Sequence, residues 1–193
     1  MPNYQEIRKD VLKTLEEQLP EELTYHGIHH TMDVLNVCNE YIEREGLSDA
    51  EAFLLRVGAL YHDLGFIRSF EEHEKHGADM AQEKLPAYGL DQDQIEVIKG
   101  LIMATKVPQS PKTDLEMILC DADLDYLGRD DFYSIGGTLY EELRALDKIS
   151  DENEWNQLQL TFLNAQKFHT DFARLHREPE KQKRIAELKA LNL

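Results

Sequence analysis

Positive charge is what this chain has least of: 21 lysines and arginines stand against 38 aspartates and glutamates, a formal net charge of −17 over 193 residues. Such a surface repels polyanions over most of its area, which excludes nonspecific binding to nucleic acid or to anionic membranes. Any anionic ligand must be met locally, by a cation. Cysteine is nearly absent too. Cys38 and Cys120 are the only two, and both fall within periodic apolar stretches, where a thiol behaves as a small buried hydrophobe and not as half of a disulfide. Long apolar runs are missing: no segment approaches the ~20 consecutive apolar residues that span a bilayer, and Met1-Pro2-Asn3-Tyr4-Gln5 lacks the apolar core of a secretory signal. A soluble, cytoplasmic protein is expected. Alternating strand patterns, internal repeats and low-complexity tracts are absent as well.

What remains is helical periodicity, densely punctuated. Asn3 and Glu6 open a helix through Ile7, Val11, Leu12 and Leu15 that stops at Pro20,. A second carries His30, Val34, Val37 and Tyr41 on one stripe to Gly46, so His30 faces inward. Ser48 and Glu51 cap a third that runs to Gly65, where Gly58 and Ala59 are small enough to admit a neighbouring helix,. Glu71–Leu85 reads as a fourth helix and Asp91 with Gln94 opens a fifth. Asp114 caps a sixth, and further helices span 131–146, 150–176 and 179–191. The length allows one sizeable core, so the expected architecture is all-α: a single domain over 1–193 of about eight or nine helices, with helices 131–193 packed on a central region of about 25–130.

Against this apolar background a few residues do not belong. Tyr61-His62-Asp63-Leu64-Gly65 sets an imidazole and a carboxylate side by side at the end of an apolar helix. Tyr25-His26-Gly27-Ile28-His29-His30 precedes it and Asp121-Ala122-Asp123-Leu124-Asp125 follows it. In the sixth helix Asp123 lies at four-residue spacing from Leu119 and Leu127, while Asp121 and Asp125 share a face with Arg129. Asp123 is therefore expected to be the buried carboxylate, with Asp125 on the polar face. Burying His30, His62, Asp63 and Asp123 together costs roughly several kcal/mol unless each finds a partner, and one divalent cation supplies it. Two imidazoles and two carboxylates suit Mn, Fe, Co, Ni or Zn, whereas an oxygen-only site would suit Mg.

The order His30, His62-Asp63, Asp123 resembles the H…HD…D motif of the HD superfamily of metal-dependent phosphohydrolases. Tyr25-His26, His73-Glu74 and Gly128-Arg129 strengthen the likeness. The resemblance implies an all-helical fold holding a metal between central helices, and a water activated there that attacks a phosphate ester or anhydride in a small anionic substrate such as a nucleotide. His26 is placed like the leaving-group acid of the cyclic-nucleotide phosphodiesterase branch (Tyr-His-x-x-x-His), although Gly27 stands where that branch has Asn. His73, four residues before Gly77, is similar to an element that supplies a second metal in dinuclear branches. Between His76 and Asp123 no further histidine occurs, so His73 is expected to act on substrate, with His76, Lys106 and Arg129 as substrate contacts. A dinuclear iron oxygenase of the same superfamily would need that further histidine. A noncatalytic module held together by its metal is the alternative from another class.

Overall fold

Residues 3–191 are described by a computed structural model of the protein; Met1, Pro2, Asn192 and Leu193 lie outside them. Ten α-helices follow one another and no strand occurs among the described residues: α1 Tyr4–Gln18, α2 Ile28–Glu45, α3 Asp49–Tyr61, α4 His73–Lys84, α5 Gln92–Ala104, α6 Asp114–Asp123, α7 Phe132–Ala145, α8 Glu152–Ala165, α9 Asp171–His176 and α10 Glu178–Ala190. Caps explain many of the starts. Ser48 with Glu51, Asp91 with Gln94 and Thr113 with Glu116 each exchange side-chain and backbone hydrogen bonds across the first turn, satisfying N–H groups that have no intrahelical partner. The cap of α6 is thus Thr113, with Asp114 the first helical residue.

Helix α3 is the axis of the first half. It packs against α1, α2, α5 and α6, and Leu55, Val57, Ala59 and Leu60 are fully enclosed. A Cβ on Gly58 would stand 2.8 Å from Leu101 of α5, so the small residue is what lets those two helices approach. Cys38 and Cys120 are buried free thiols.

A second apolar cluster forms around Tyr126, Leu127, Phe132, Leu163 and Phe168, with Ile185 and Leu188 of α10. It joins the C-terminal helices to the 3-10 turn Asp125–Gly128 that follows α6. Two expectations change here. The single helix read over 150–176 is broken after Ala165, because Asp121 reaches across and accepts the backbone N–H groups of His169 and Thr170 at 2.8 and 2.7 Å. Lys181, itself buried, donates to the Gln166 carbonyl at 2.7 Å and fixes the other side of the break.

The sixth helix, moreover, ends at Asp123. Leu124 leaves helical geometry (φ −110°, ψ 17°) and a 3-10 turn follows, so the 3.6-residue phase does not carry through to Asp125. As a result Asp121 and Asp125 are the buried carboxylates, 0% and 1% exposed, while the Asp123 side chain retains 15%. Asp125 faces Arg177 Nε at 2.7 Å and Arg129 at 3.6 Å. A polar face for Asp125 was the wrong expectation, because it ignored the helices that cover that side.

Candidate metal centre

His30, in the first turn of α2, points inward from the apolar stripe of that helix. His62 and Asp63 follow α3 directly. Consecutive residues inside a helix diverge by about 100° and cannot share a target. Here the helix stops at Tyr61 and Asp63 takes φ −106°, ψ 0°, the bridge region in which active-site residues are often found, so both side chains reach one centre. Asp123 arrives from the last turn of α6.

The convergence is close. His30 Nε2 lies 3.0 Å from Asp123 Oδ1, 3.4 Å from Asp63 Oδ2 and 3.3 Å from His62 Nε2. His62 Nε2 lies 3.2 Å from Asp63 Oδ2 and 3.6 Å from Asp123 Oδ1. His62 Nδ1–H donates to the Ala59 carbonyl at 2.7 Å, which leaves the Nε2 lone pair toward the centre, as a metal-ligating histidine requires. Asp63 Oδ2 is buried with no hydrogen-bond partner. Ligand atoms of His30, His62 and Asp123 all lie within 4.8 Å of one another and could hold a metal ion. An orphaned carboxylate oxygen beside two converging imidazole nitrogens is the donor set a divalent cation needs.

Electrostatically the cluster is self-opposed. Burial would raise the Asp63 carboxyl, but the His62 imidazole beside it holds it well below the usual range. Burial would lower His62, and Asp63 with Asp123 holds it up instead.

His73 is brought in by two glycines. A Cβ on Gly65 would collide with the His73 carbonyl, and one on Gly77 would stand 2.8 Å from the Tyr61 carbonyl, so only glycine lets the start of α4 abut the His62-Asp63 turn. The His73 ring stacks on Phe66 at 3.8 Å. Its Nε2 lies 3.6 Å from Asp63 Oδ1 and 3.4 Å from Glu74 Oε1. Burial lowers the His73 pKa against the pull of those carboxylates. Asp63 thus presents one oxygen to His30 and His62 and the other to His73.

His26 is held by a residue that no motif pointed to. Glu142, fully buried on α7, accepts the backbone N–H of Tyr25 at 2.8 Å and of His26 at 3.0 Å, and pairs with His26 Nδ1 through its other oxygen. Burial alone would lower the His26 pKa and raise that of Glu142. The hydrogen bond from Glu142 together with the charges of Asp63, Glu142 and Asp123 outweighs burial at His26, and the hydrogen bonds and charge from His26 with the Tyr25 N–H outweigh it at Glu142, so His26 is raised and Glu142 lowered. The sequence did contain the signal: Glu142 falls on the stripe of Ile135, Leu139 and Leu146, where a carboxylate needs a reason.

A cavity of about 240 Å³ opens over the centre. Its floor includes His26, Asp63, His73, Glu74 and Asp123, and its far wall is apolar. The three expected substrate contacts lie outside this lining. Arg129 is held by Asp131, Asp33 and Asp125 at 2.8, 3.0 and 3.6 Å, Lys106 is exposed and His76 sits half-buried on α4. Arg129 therefore serves as a clamp between elements, because its guanidinium already faces three carboxylates.

An all-helical chain that gathers two histidines and two aspartates at one buried centre belongs to the class of helical proteins in which a His, His-Asp, Asp cluster could hold a metal ion. The HD domain family model matches residues 27–125, and the chain belongs to that family. A protein from an uncultured Thermotogales bacterium, described as a predicted HD superfamily hydrolase, superposes with a TM-score of 0.56 at 24% identity, covering 79% of this chain and 91% of that one. A Lactobacillus plantarum protein superposes with a TM-score of 0.67 at 18% identity, covering 97% and 95%. Both share the fold. No curated protein matches the chain, and no helix among the described residues is long and apolar enough to cross a membrane.

Proposed function

We propose that the protein is a metal-dependent phosphohydrolase that cleaves a phosphate ester or anhydride of a small molecule, such as a nucleotide or a related metabolite. The observation that carries this reading is the orphaned Asp63 Oδ2 among His30, His62 and Asp123, at the floor of a cavity that also holds two further imidazoles. His30, His62, Asp63 and Asp123 would hold one divalent ion. When bound there, such an ion supplies positive charge for phosphoryl oxygens and a water acidic enough to ionise near neutral pH.

The remaining roles belong to the chain. Glu142 anchors His26 through Nδ1, leaving Nε2 to carry a proton toward a departing oxygen; the raised pKa keeps that proton in place nearer neutrality,. His73 Nδ1 faces the Phe70 carbonyl at 3.4 Å, so Nε2 donates to a phosphoryl oxygen when the ring is protonated, a form that burial disfavours and the neighbouring carboxylates favour,. Phe66 stacks flat on the ring and holds its plane.

A panel of phosphomonoesters, phosphodiesters and nucleotides, run with Mn, Mg, Ni and Co separately, tests the proposal. Turnover with at least one metal, abolished in the His62→Ala Asp63→Ala double variant, is the expected result. Turnover that survives in the double variant, or none with any metal, overturns it.

A further inference from the structure

We infer that the substrate carries a single phosphoryl group on an apolar body, an alkyl or aryl phosphate monoester, and that one face of α7 and α8 receives that body. The inference rests on the phosphohydrolase reading and narrows it.

Two features of the cavity lead there. The first is charge. Its lining contains three carboxylates, Asp63, Glu74 and Asp123, and two imidazoles, but no lysine or arginine among the described residues. Nearby guanidiniums are already paired, Arg129 with Asp33 and Asp131, and Arg177 with Asp125. One cation at the His-Asp centre can meet one phosphoryl group. Additional phosphates would lie against carboxylates in a chain of net charge −17, where like charges held out of water repel strongly.

The second is the far wall. Leu139 and Leu143 of α7 face Trp155, Leu158, Phe162 and Leu163 of α8, with Gln159 the polar residue on that side. Val107 and Leu158 at this cavity are large hydrophobics left 57% and 44% exposed, which a protein keeps at a binding mouth more readily than on plain surface. A sugar or other polyol would set its hydroxyls against leucine and phenylalanine, losing water's hydrogen bonds without replacement. An alkyl chain or aromatic ring loses nothing there and buries apolar area.

Trp155 is the chain's single tryptophan and lines this wall, so intrinsic fluorescence reports occupancy without any turnover. The test titrates ethyl-, butyl- and hexylphosphonate, which copy the monoester but cannot be hydrolysed at oxygen, into protein with and without added zinc. Affinity should tighten about fourfold for each methylene, the fold-change equivalent to about 0.8 kcal/mol. In Leu158→Gln, a change at a half-exposed position, the dependence on chain length should flatten.

An affinity that ignores chain length overturns the inference. So does adenosine triphosphate binding more tightly than hexylphosphonate, or a folded Leu158→Gln protein with the full dependence intact. These outcomes are separable from failure of the hydrolase reading, which would leave the chain-length dependence in place while no phosphate ester is turned over with any metal.

Discussion

Replacing Glu142 by Gln isolates the residue on which His26 depends. The wild-type carboxylate accepts three N–H groups, two from the backbone and one from the His26 ring. An amide of the same shape keeps one accepting oxygen and turns an NH2 group toward the others. Hydrogen bonds to a charged acceptor contribute about 1.5–3 kcal/mol each, and a buried group left unsatisfied costs about 1–3 kcal/mol. With one oxygen retained, a net loss of roughly 2–4 kcal/mol is expected, and at about 2–4 °C per kcal/mol the melting temperature should fall by roughly 4–16 °C.

The pH dependence of that loss is fixed in sign. Glu142, with its folded pKa lowered, contributes stability that is present above its unfolded value of about 4.3 and disappears as pH falls through the folded one. His26, with its folded pKa raised, contributes stability that is complete below its unfolded value of about 6.5 and disappears as pH rises through the folded one. The difference in melting temperature between wild type and Glu142→Gln should therefore peak between about pH 4.5 and 6.5. Without the carboxylate the His26 pKa drops, so the alkaline limb of kcat should move to lower pH, with kcat at pH 8 reduced at least about tenfold. Thermal melts from pH 4 to 9 and a pH–rate profile check both parts. A flat difference across that range, or a melting temperature within 1 °C of wild type, would refute the assignment of Glu142 as the anchor of His26.

Asp63→Ala should carry no divalent ion where the wild type carries about one per chain by elemental analysis, and chelation of the wild type should lower its melting temperature. Asp125→Asn should destabilise by roughly 3–5 kcal/mol in a denaturant titration, because it uncouples a buried carboxylate from Arg177 and Arg129,, yet leave metal content intact. Asp121→Asn should likewise keep its metal, and hydrogen exchange should show early opening at His169 and Thr170, whose N–H groups it would hold less firmly. His73→Ala should lower kcat by roughly ten- to a thousandfold at unchanged metal content; metal loss in proportion to activity would move His73 into the coordination sphere.

Legibility in the sequence followed the range of the interaction. Helix starts were readable because a cap is a three-residue event: Ser48 with Glu51 and Asp91 with Gln94 act within one turn. His30 and the close approach at Gly58 were readable because a helical stripe extends over several turns without interruption. The phase of Asp121, Asp123 and Asp125 was not, since periodicity holds only while the helix does, and Leu124 ends it. The break after Ala165 was hidden for a related reason. The carboxylate that holds it open, Asp121, lies more than forty residues earlier in the chain, and no local pattern records such a partner. Glu142 was visible in principle, as a carboxylate on an apolar stripe, but its meaning required knowing that Tyr25 and His26 would arrive beside it.

The scarcity of cations bears on function through where the buried and half-buried ones sit. Arg177 and Arg129 meet Asp125, Lys181 meets Glu178 and the Gln166 carbonyl, and Arg129 also meets Asp33 and Asp131. Apart from the Lys181–Glu178 pair, which lies within α10, these contacts tie α10, the start of α7 and the 3-10 turn after α6 to their neighbours, so these basic side chains hold the C-terminal helices in place. Asp125 is fully buried, and leaving it without a partner is strongly unfavourable, which ties Arg177 and Arg129 to it. At the His-Asp centre the carboxylates Asp63 and Asp123 have only imidazoles beside them. An ion held there would therefore be the main source of positive charge for a phosphoryl group, and removing it should abolish substrate binding as well as turnover.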